Sequence, residues 1–272
     1  PVYSAFERVL RNNNITISKN PLKYNGGYMM DFRGLQKCID NDTKFLLLCS
    51  PHNPVGRVWT RQELITLGDI CIKNNLIIVS DEIHCDFTLG GAKHIPIASL
   101  SDALSQITIT LISPGKTFNI AGLFASFAVI PNKTVRNIYK STVEALEVNT
   151  ASIFSALGLK SAYTHGEGWL EQALKYIQSN IDYAINFIET KIPEIKADRP
   201  QGTYLLWLNF KGLNKTADEI KDALIEKGKI LLNDGREFGQ EGDGFFRLNV
   251  ACPKSVLKEG LSRIEAAIKK LC

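Results

Sequence analysis

The chain has 272 residues, 44% of them hydrophobic and 22% charged, with 32 basic against 28 acidic side chains and a formal net charge of +4. Such a composition excludes extensive disorder, and a chain of this size is expected to form one large α/β domain, or a large domain with a smaller one. The small charge, with no Lys/Arg cluster interleaved with aromatics, speaks against a nucleic-acid surface, and no apolar run near 18 residues or leader-like start suggests a membrane span or secretion.

In chain order, Phe45–Cys49 is a short apolar run that ends in turn chemistry at Ser50-Pro51-His52-Asn53-Pro54. Thr60 then offers an N-cap to a helix from Arg61 to about Asn74, with Glu63 placed to complete a capping box. The next apolar segments read as buried strands at Leu76–Val79, Ile107–Ile112 and Phe124–Ile130. Buried strands alternating with helices predict a mainly parallel sheet covered on both faces, with ligands beyond the strands' carboxyl ends. Asn53, Asp81 and Lys116 each fall just past such an end. From Asn132 to about Ile192 the pattern is helical, with Gly166 and Gly168 breaking it before Trp169 opens a long amphipathic segment. An α+β pattern follows, with strands at Thr203–Asn209 and Phe245–Val250, a helix at Ala217–Lys227, and a last helix from Pro253 to Leu271. The expected architecture is a large α/β unit over residues 1–165, and a connecting helix with a C-terminal α+β unit over 166–272.

Six cysteines, at positions 38, 49, 71, 85, 252 and 272, lack any C-x-x-C pair or dense framework and predict thiols in a reducing cytoplasm. The first residue is Pro1 rather than methionine, which suggests a processed or truncated product.

Ser113-Pro114-Gly115-Lys116-Thr117 superficially resembles a phosphate loop, but Thr110 stands where that loop needs its first glycine. Leu76 to Glu82 likewise imitates an apolar strand with an acidic pair, yet precedes the lysine segment instead of following it. These two defects argue against an NTPase. A lysine and an aspartate at strand ends also suit a Schiff base to pyridoxal phosphate, with a carboxylate holding the pyridine nitrogen protonated.

Four segments then carry a resemblance: Pro51 to Val58, Ser80 to Phe87, Ser113 to Leu123 and Phe246 to Pro253. In order and spacing they resemble the fold-type I, class I/II aminotransferase superfamily, and within it the cystathionine β-lyase-like C–S lyases. The resemblance implies a pyridoxal 5'-phosphate enzyme in which Lys116 carries the cofactor's internal aldimine and moves the proton at the substrate Cα. Asp81 pairs with the ring nitrogen in this reading, and otherwise caps a helix. Asn53 touches the cofactor's phenolic oxygen and the substrate, unless it is a plain turn residue before Pro54. His84 occupies a position where many aminotransferases have tyrosine and the lyase branch has histidine; no zinc-like spacing accompanies it, and no metal is expected. Ser113 is implied to bind the phosphate, or else only to start a turn. Arg247 is implied to hold the substrate α-carboxylate, its alternative being a structural ion pair.

One departure is Phe124, eight residues after Lys116, where many relatives place a phosphate-binding arginine. The resemblance further implies that roughly a hundred residues precede this segment in relatives. The expected activity is α,β-elimination from cysteine-type amino acids, the chain alone being inactive. The alternatives are an aminotransferase or a non-catalytic fragment. A homodimer acting on a small amino acid is the implied assembly.

Overall fold

The computed structural model describes residues 1–148 and 152–271. Cys272 and residues 149–151 of the expected helical stretch lie outside the described residues.

In chain order the helices are α1 (Ser4–Asn12), α2 (Phe32–Cys38), α3 (Arg61–Lys73), α4 (Asp102–Gln106), α5 (Pro114–Thr117), α6 (Lys133–Ala145), α7 (Ile153–His165), α8 (Glu167–Lys191), α9 (Ala217–Asp222) and α10 (Lys254–Lys269). The strands are β1 (Lys23–Tyr24), β2 (Tyr28–Met29), β3 (Phe45–Cys49), β4 (Ile77–Asp81), β5 (Thr108–Ile112), β6 (Phe127–Val129), β7 (Lys196–Ala197), β8 (Leu205–Asn209), β9 (Asn233–Asp234) and β10 (Phe245–Asn249).

One sheet runs β3-β4-β5-β6, with β3, β4 and β5 parallel. Its register sets Cys49 opposite Asp81 and Asp81 opposite Leu111, so the turn after β3, the end of β4 and the Ser113–Lys116 turn lie level at one edge. That levelling is what gathers residues distant in sequence. Beneath it, α3 packs Leu64, Leu67 and Cys71 with Leu48, Trp59, Ile78 and Leu104. The Trp59 indole donates to the Cys49 carbonyl at 2.9 Å, which fixes the chain as it leaves β3.

The expected fourth parallel strand is corrected. Only Phe127–Val129 of Phe124–Ile130 is extended, and it pairs antiparallel with β5. A parallel return needs a crossover of a dozen or more residues, usually helical. Here the connection folds into α5 and a 3₁₀ turn at Ala121–Leu123, and then reverses through Phe124 at φ 51°. Gly168 does not break a helix; it lies in the first turn of α8, and the break falls at Gly166. A Cβ at Gly166 would stand 2.5 Å from the Phe118 ring.

The second sheet, β7-β8-β10-β9, is antiparallel throughout. Its core joins Leu206 and Leu208 of β8 with the α8 stripe Ile177, Ile181, Ala184, Ile188 and with Leu257, Leu261 and Ile264 of α10. Phe87 and Leu89, just past β4, pack into this same cluster. The two sheets are therefore stitched together at the segment that carries Asp81 and His84. Gly56 adds a second stitch, because its carbonyl accepts from the Gln201 and Gly202 amides at 2.8 and 3.0 Å. Its φ is +71°, and a Cβ at this position would stand 2.5 Å from Pro200, so no side chain fits.

Candidate active site

Ser113 caps α5 by accepting the Gly115 N–H at 3.1 Å and donates its own proton to the Ala125 carbonyl at 2.6 Å. A hydroxyl has one proton to give, so that of Ser113 is already committed. Lys116, half-buried in the middle of this turn, lines a cavity of about 240 Å³ together with Ile83, Ser113, Phe124 and Ser126. The next residue anchors the turn, since the buried Thr117 hydroxyl donates to the Asp86 carboxylate at 2.7 Å. Phe124 is 92% exposed at the rim.

Asp81 closes β4, and its Oδ1 accepts the Ile83 N–H at 3.2 Å. It caps no described helix. Burial raises its carboxyl above the usual range, with Glu82 adding to the rise; the Ile83 N–H and the Lys116 charge oppose it. His84 is buried, with its ring edge-on to Tyr204 at 5.5 Å and Phe87 at 6.2 Å. Burial pushes its pKa down to about 3, helped by the positive charges of Lys116 and Arg247. The imidazole is therefore neutral near pH 7. Its Nδ1 is buried with no partner among the described residues.

Arg247 sits on β10 opposite Trp207 and reaches across to the first sheet's loop. One guanidinium nitrogen donates to Asn53 Oδ1 at 2.9 Å and another to Asn233 Oδ1 at 2.8 Å, while the group lies 4.6 Å from the Phe238 ring centre. Neutral amides hold this charge, and its Nε is buried without a partner among the described residues. Burial accordingly lowers the affinity of Arg247 for its proton. An arginine set this way retains capacity for an incoming anion.

The structure thus brings Asn53 directly to Arg247, and sets Lys116 within electrostatic reach of both Asp81 and His84. Asn233 and Asp86 did not stand out in the sequence. Asn233 reaches Arg247 only because β9 pairs with β10, and no local motif announces that pairing.

The aminotransferase class I and II family matches residues 1–264. The chain belongs to that family. It is similar to the cystathionine β-lyase PatB of Bacillus subtilis, at 38% identity over 98% of this chain and 70% of that protein. Among solved structures it is similar to cystalysin of Treponema denticola, described as containing a pyridoxal 5'-phosphate cofactor, with a TM-score of 0.97 and 37% identity over 100% of this chain and 70% of that one. It is also similar to the pyridoxal-phosphate-bound C–S lyase of Staphylococcus hominis, with a TM-score of 0.91 and 32% identity over 98% of this chain and 68% of that one. Among the described residues no helix is long and apolar enough to cross a membrane.

Proposed function

We propose that this chain is the lysine-bearing part of a pyridoxal-phosphate C–S β-lyase, which converts a cysteine-type amino acid and water into pyruvate, ammonia and a thiol. The observation that carries the reading is a half-buried Lys116 on the turn level with a strand-end carboxylate, Asp81, with a half-buried arginine held by amides across the cleft. The residues fit the cofactor. The primary amine can condense with an aldehyde, Asp81 can accept a ring N–H, and the orphaned nitrogens of His84 and Arg247 await polar partners. The phosphate is the weaker part of the fit, because Ser113 must turn its hydroxyl away from Ala125 before it can donate.

Pyridoxal phosphate, when bound, supplies the electron sink for the bonds at Cα. Arg247 receives the α-carboxylate and, with Asn53 beside it, fixes Cα near the lysine turn. Lys116 takes the Cα proton, and the Cβ–S bond breaks with its electron pair leaving on sulfur. Neutral His84 adds no positive charge near the Lys116 amine. The C–S lyase names of the relatives favour this outcome over amino-group exchange. Borohydride reduction with the cofactor, followed by peptide mapping, is expected to tag Lys116; a tag on another lysine overturns the assignment. Pyruvate release, against keto-acid exchange, separates lyase from aminotransferase.

The same reading divides the chain into residues 1–165 and 166–272, which the break at Gly166 between α7 and α8 supports. A homodimer is supported by apolar side chains near the lysine turn, including Phe124, Ile153, Phe154 and Leu157, that stand open to solvent. A reducing cytoplasm is supported by the free thiols of Cys49 and Cys71, both buried.

A further inference from the structure

Thr117 and Asp86 share a hydrogen bond that the proposed chemistry of Lys116 does not use, and its two ends come from different parts of the chain. Thr117 is 1% exposed in the short helix α5, next to Lys116, and its Oγ1 donates to Asp86 Oδ2 at 2.7 Å. Asp86 lies half-buried in the turn that follows β4. A hydroxyl donating to a carboxylate makes one of the stronger side-chain contacts, because the acceptor carries charge. The residue after Asp86 is fastened to the second sheet. The Phe87 carbonyl accepts the Thr203 N–H at 2.9 Å, and the Phe87 ring stands edge-on to Tyr204 at 5.0 Å. The Tyr204 carbonyl in turn accepts the Val250 N–H at 3.0 Å, just past β10, the strand of Arg247. Thr203 is fully buried at φ 69°, a left-handed conformation that a β-branched residue seldom adopts. Such a conformation persists only where its surroundings over-determine it. Here the Thr203 N–H is bound to Phe87, and its Oγ1 accepts the Leu205 N–H at 3.2 Å.

We propose that Asp86 is a positioning residue: through Thr117 it holds the turn of Lys116 at a fixed place relative to the sheet that carries Arg247. The inference rests on the reading of Lys116 given above. The lysine reaches a proton at Cα only if its turn and the guanidinium that receives the carboxylate keep one spacing, and a misplacement of about 1 Å can cost on the order of 100-fold in rate. Lys116 and Arg247 stand on different sheets, so that spacing needs a link between them. The path Thr117–Asp86–Phe87–Thr203–Tyr204–Val250 supplies one, built of hydrogen bonds and ring contacts.

Three substitutions test the link: Thr117→Val keeps the shape and removes the hydroxyl, Thr117→Ser keeps the hydroxyl, and Asp86→Ala removes the acceptor. Amide hydrogen exchange of the cofactor-free chain, read by mass spectrometry relative to residues 64–71 of α3, needs no catalysis. In Thr117→Val it is expected to rise at least about tenfold over residues 114–120 and also over 202–206, and in Thr117→Ser to return to the original rates. Pyridoxal phosphate mixed with the chain and quenched with borohydride is expected to label Lys116 about tenfold more slowly in Thr117→Val, with the rate again restored by serine. In the Asp86→Ala background, Thr117→Val should move neither readout further, since the bond is already gone. A rise confined to residues 114–120, an unchanged labelling rate, no rescue by serine, or additive effects of the two substitutions each overturns the proposal. Should Thr117→Val fail to fold, Asp86→Ala, for which the same two changes are expected, decides in its place. The underlying reading fails separately: if Lys116 goes unlabelled in the unsubstituted chain, its assignment is wrong, and exchange at the two segments still decides whether the link exists.

Discussion

At the scale of single residues, the proposed chemistry divides between a group that moves a proton and groups that lower the cost of moving it. Asp81→Ala removes the carboxylate proposed to face the ring nitrogen but no covalent contact. Cofactor binding is expected to survive in part, while exchange of the substrate Cα proton with solvent deuterium slows by at least about tenfold. Near-normal exchange would mean that Asp81 pairs with something else. Arg247→Lys keeps a positive charge and loses the planar fork that spans Asn53 and Asn233. It is expected to lower kcat/KM by about 100-fold for every amino-acid substrate alike; a loss confined to one side-chain type would place Arg247 near the leaving group instead. The sequence offered Lys116, Asp81, Asn53 and Arg247 as candidates because each sits in a distinctive short motif. Contacts made through pairing between distant segments left no such mark. Asn233 meets Arg247 through β9–β10, and His94 meets Glu82 across a loop, so neither pairing could be read locally.

At the scale of elements, legibility followed the strength of local chemistry. Helix α3 begins where Thr60 and Glu63 said it would, with Thr60 Oγ1 accepting the Glu63 N–H at 3.2 Å and Glu63 accepting the Thr60 N–H at 2.8 Å. Glu63 also takes two bonds from Arg57, which ties the helix start to the turn that carries Asn53. Thr60→Ala is therefore expected to cost about 1 kcal/mol in urea unfolding while leaving cofactor affinity unchanged. A fall in affinity would show that the cap also holds the Asn53 turn in place. Where packing decides, the sequence was silent. The segment Ala217–Lys227 reads as one helix, but its last turn, Ala223–Lys227, widens to a π-helix before Gly228. There a Cβ would meet the Leu224 and Arg263 carbonyls at 2.8 and 3.0 Å, a crowding set by α10 rather than by local propensity. The reversal of β6 has the same character. Its residues favour extension, but only the path of the connection decides their direction.

For the whole molecule, the same burial that builds the site sets how stability responds to acid. His52 and His84 are both buried, with pKa values pushed down to about 4 and about 3, chiefly by loss of solvent. In the unfolded chain both titrate near the usual 6.5, so between that pH and their folded values the unfolded state binds more protons and stability rises with pH. Asp81 works the other way, because its folded carboxyl is raised and holds its proton longer than the unfolded one. Two histidines outweigh one aspartate. Each histidine contributes a slope of up to about 1.4 kcal/mol per pH unit, so a drop from pH 6.5 to 5 is expected to remove about 2–4 kcal/mol. That is a large share of the 5–15 kcal/mol or so that holds a typical folded protein. Urea unfolding at the two pH values measures the loss directly. His84→Asn supplies the control, since an asparagine there does not titrate, and the slope should shrink by about one proton's worth. An unchanged slope would show that His84 takes up its proton without unfolding, and a histidine charged in that position could not sit beside Lys116 and Arg247 in the way the proposed chemistry requires.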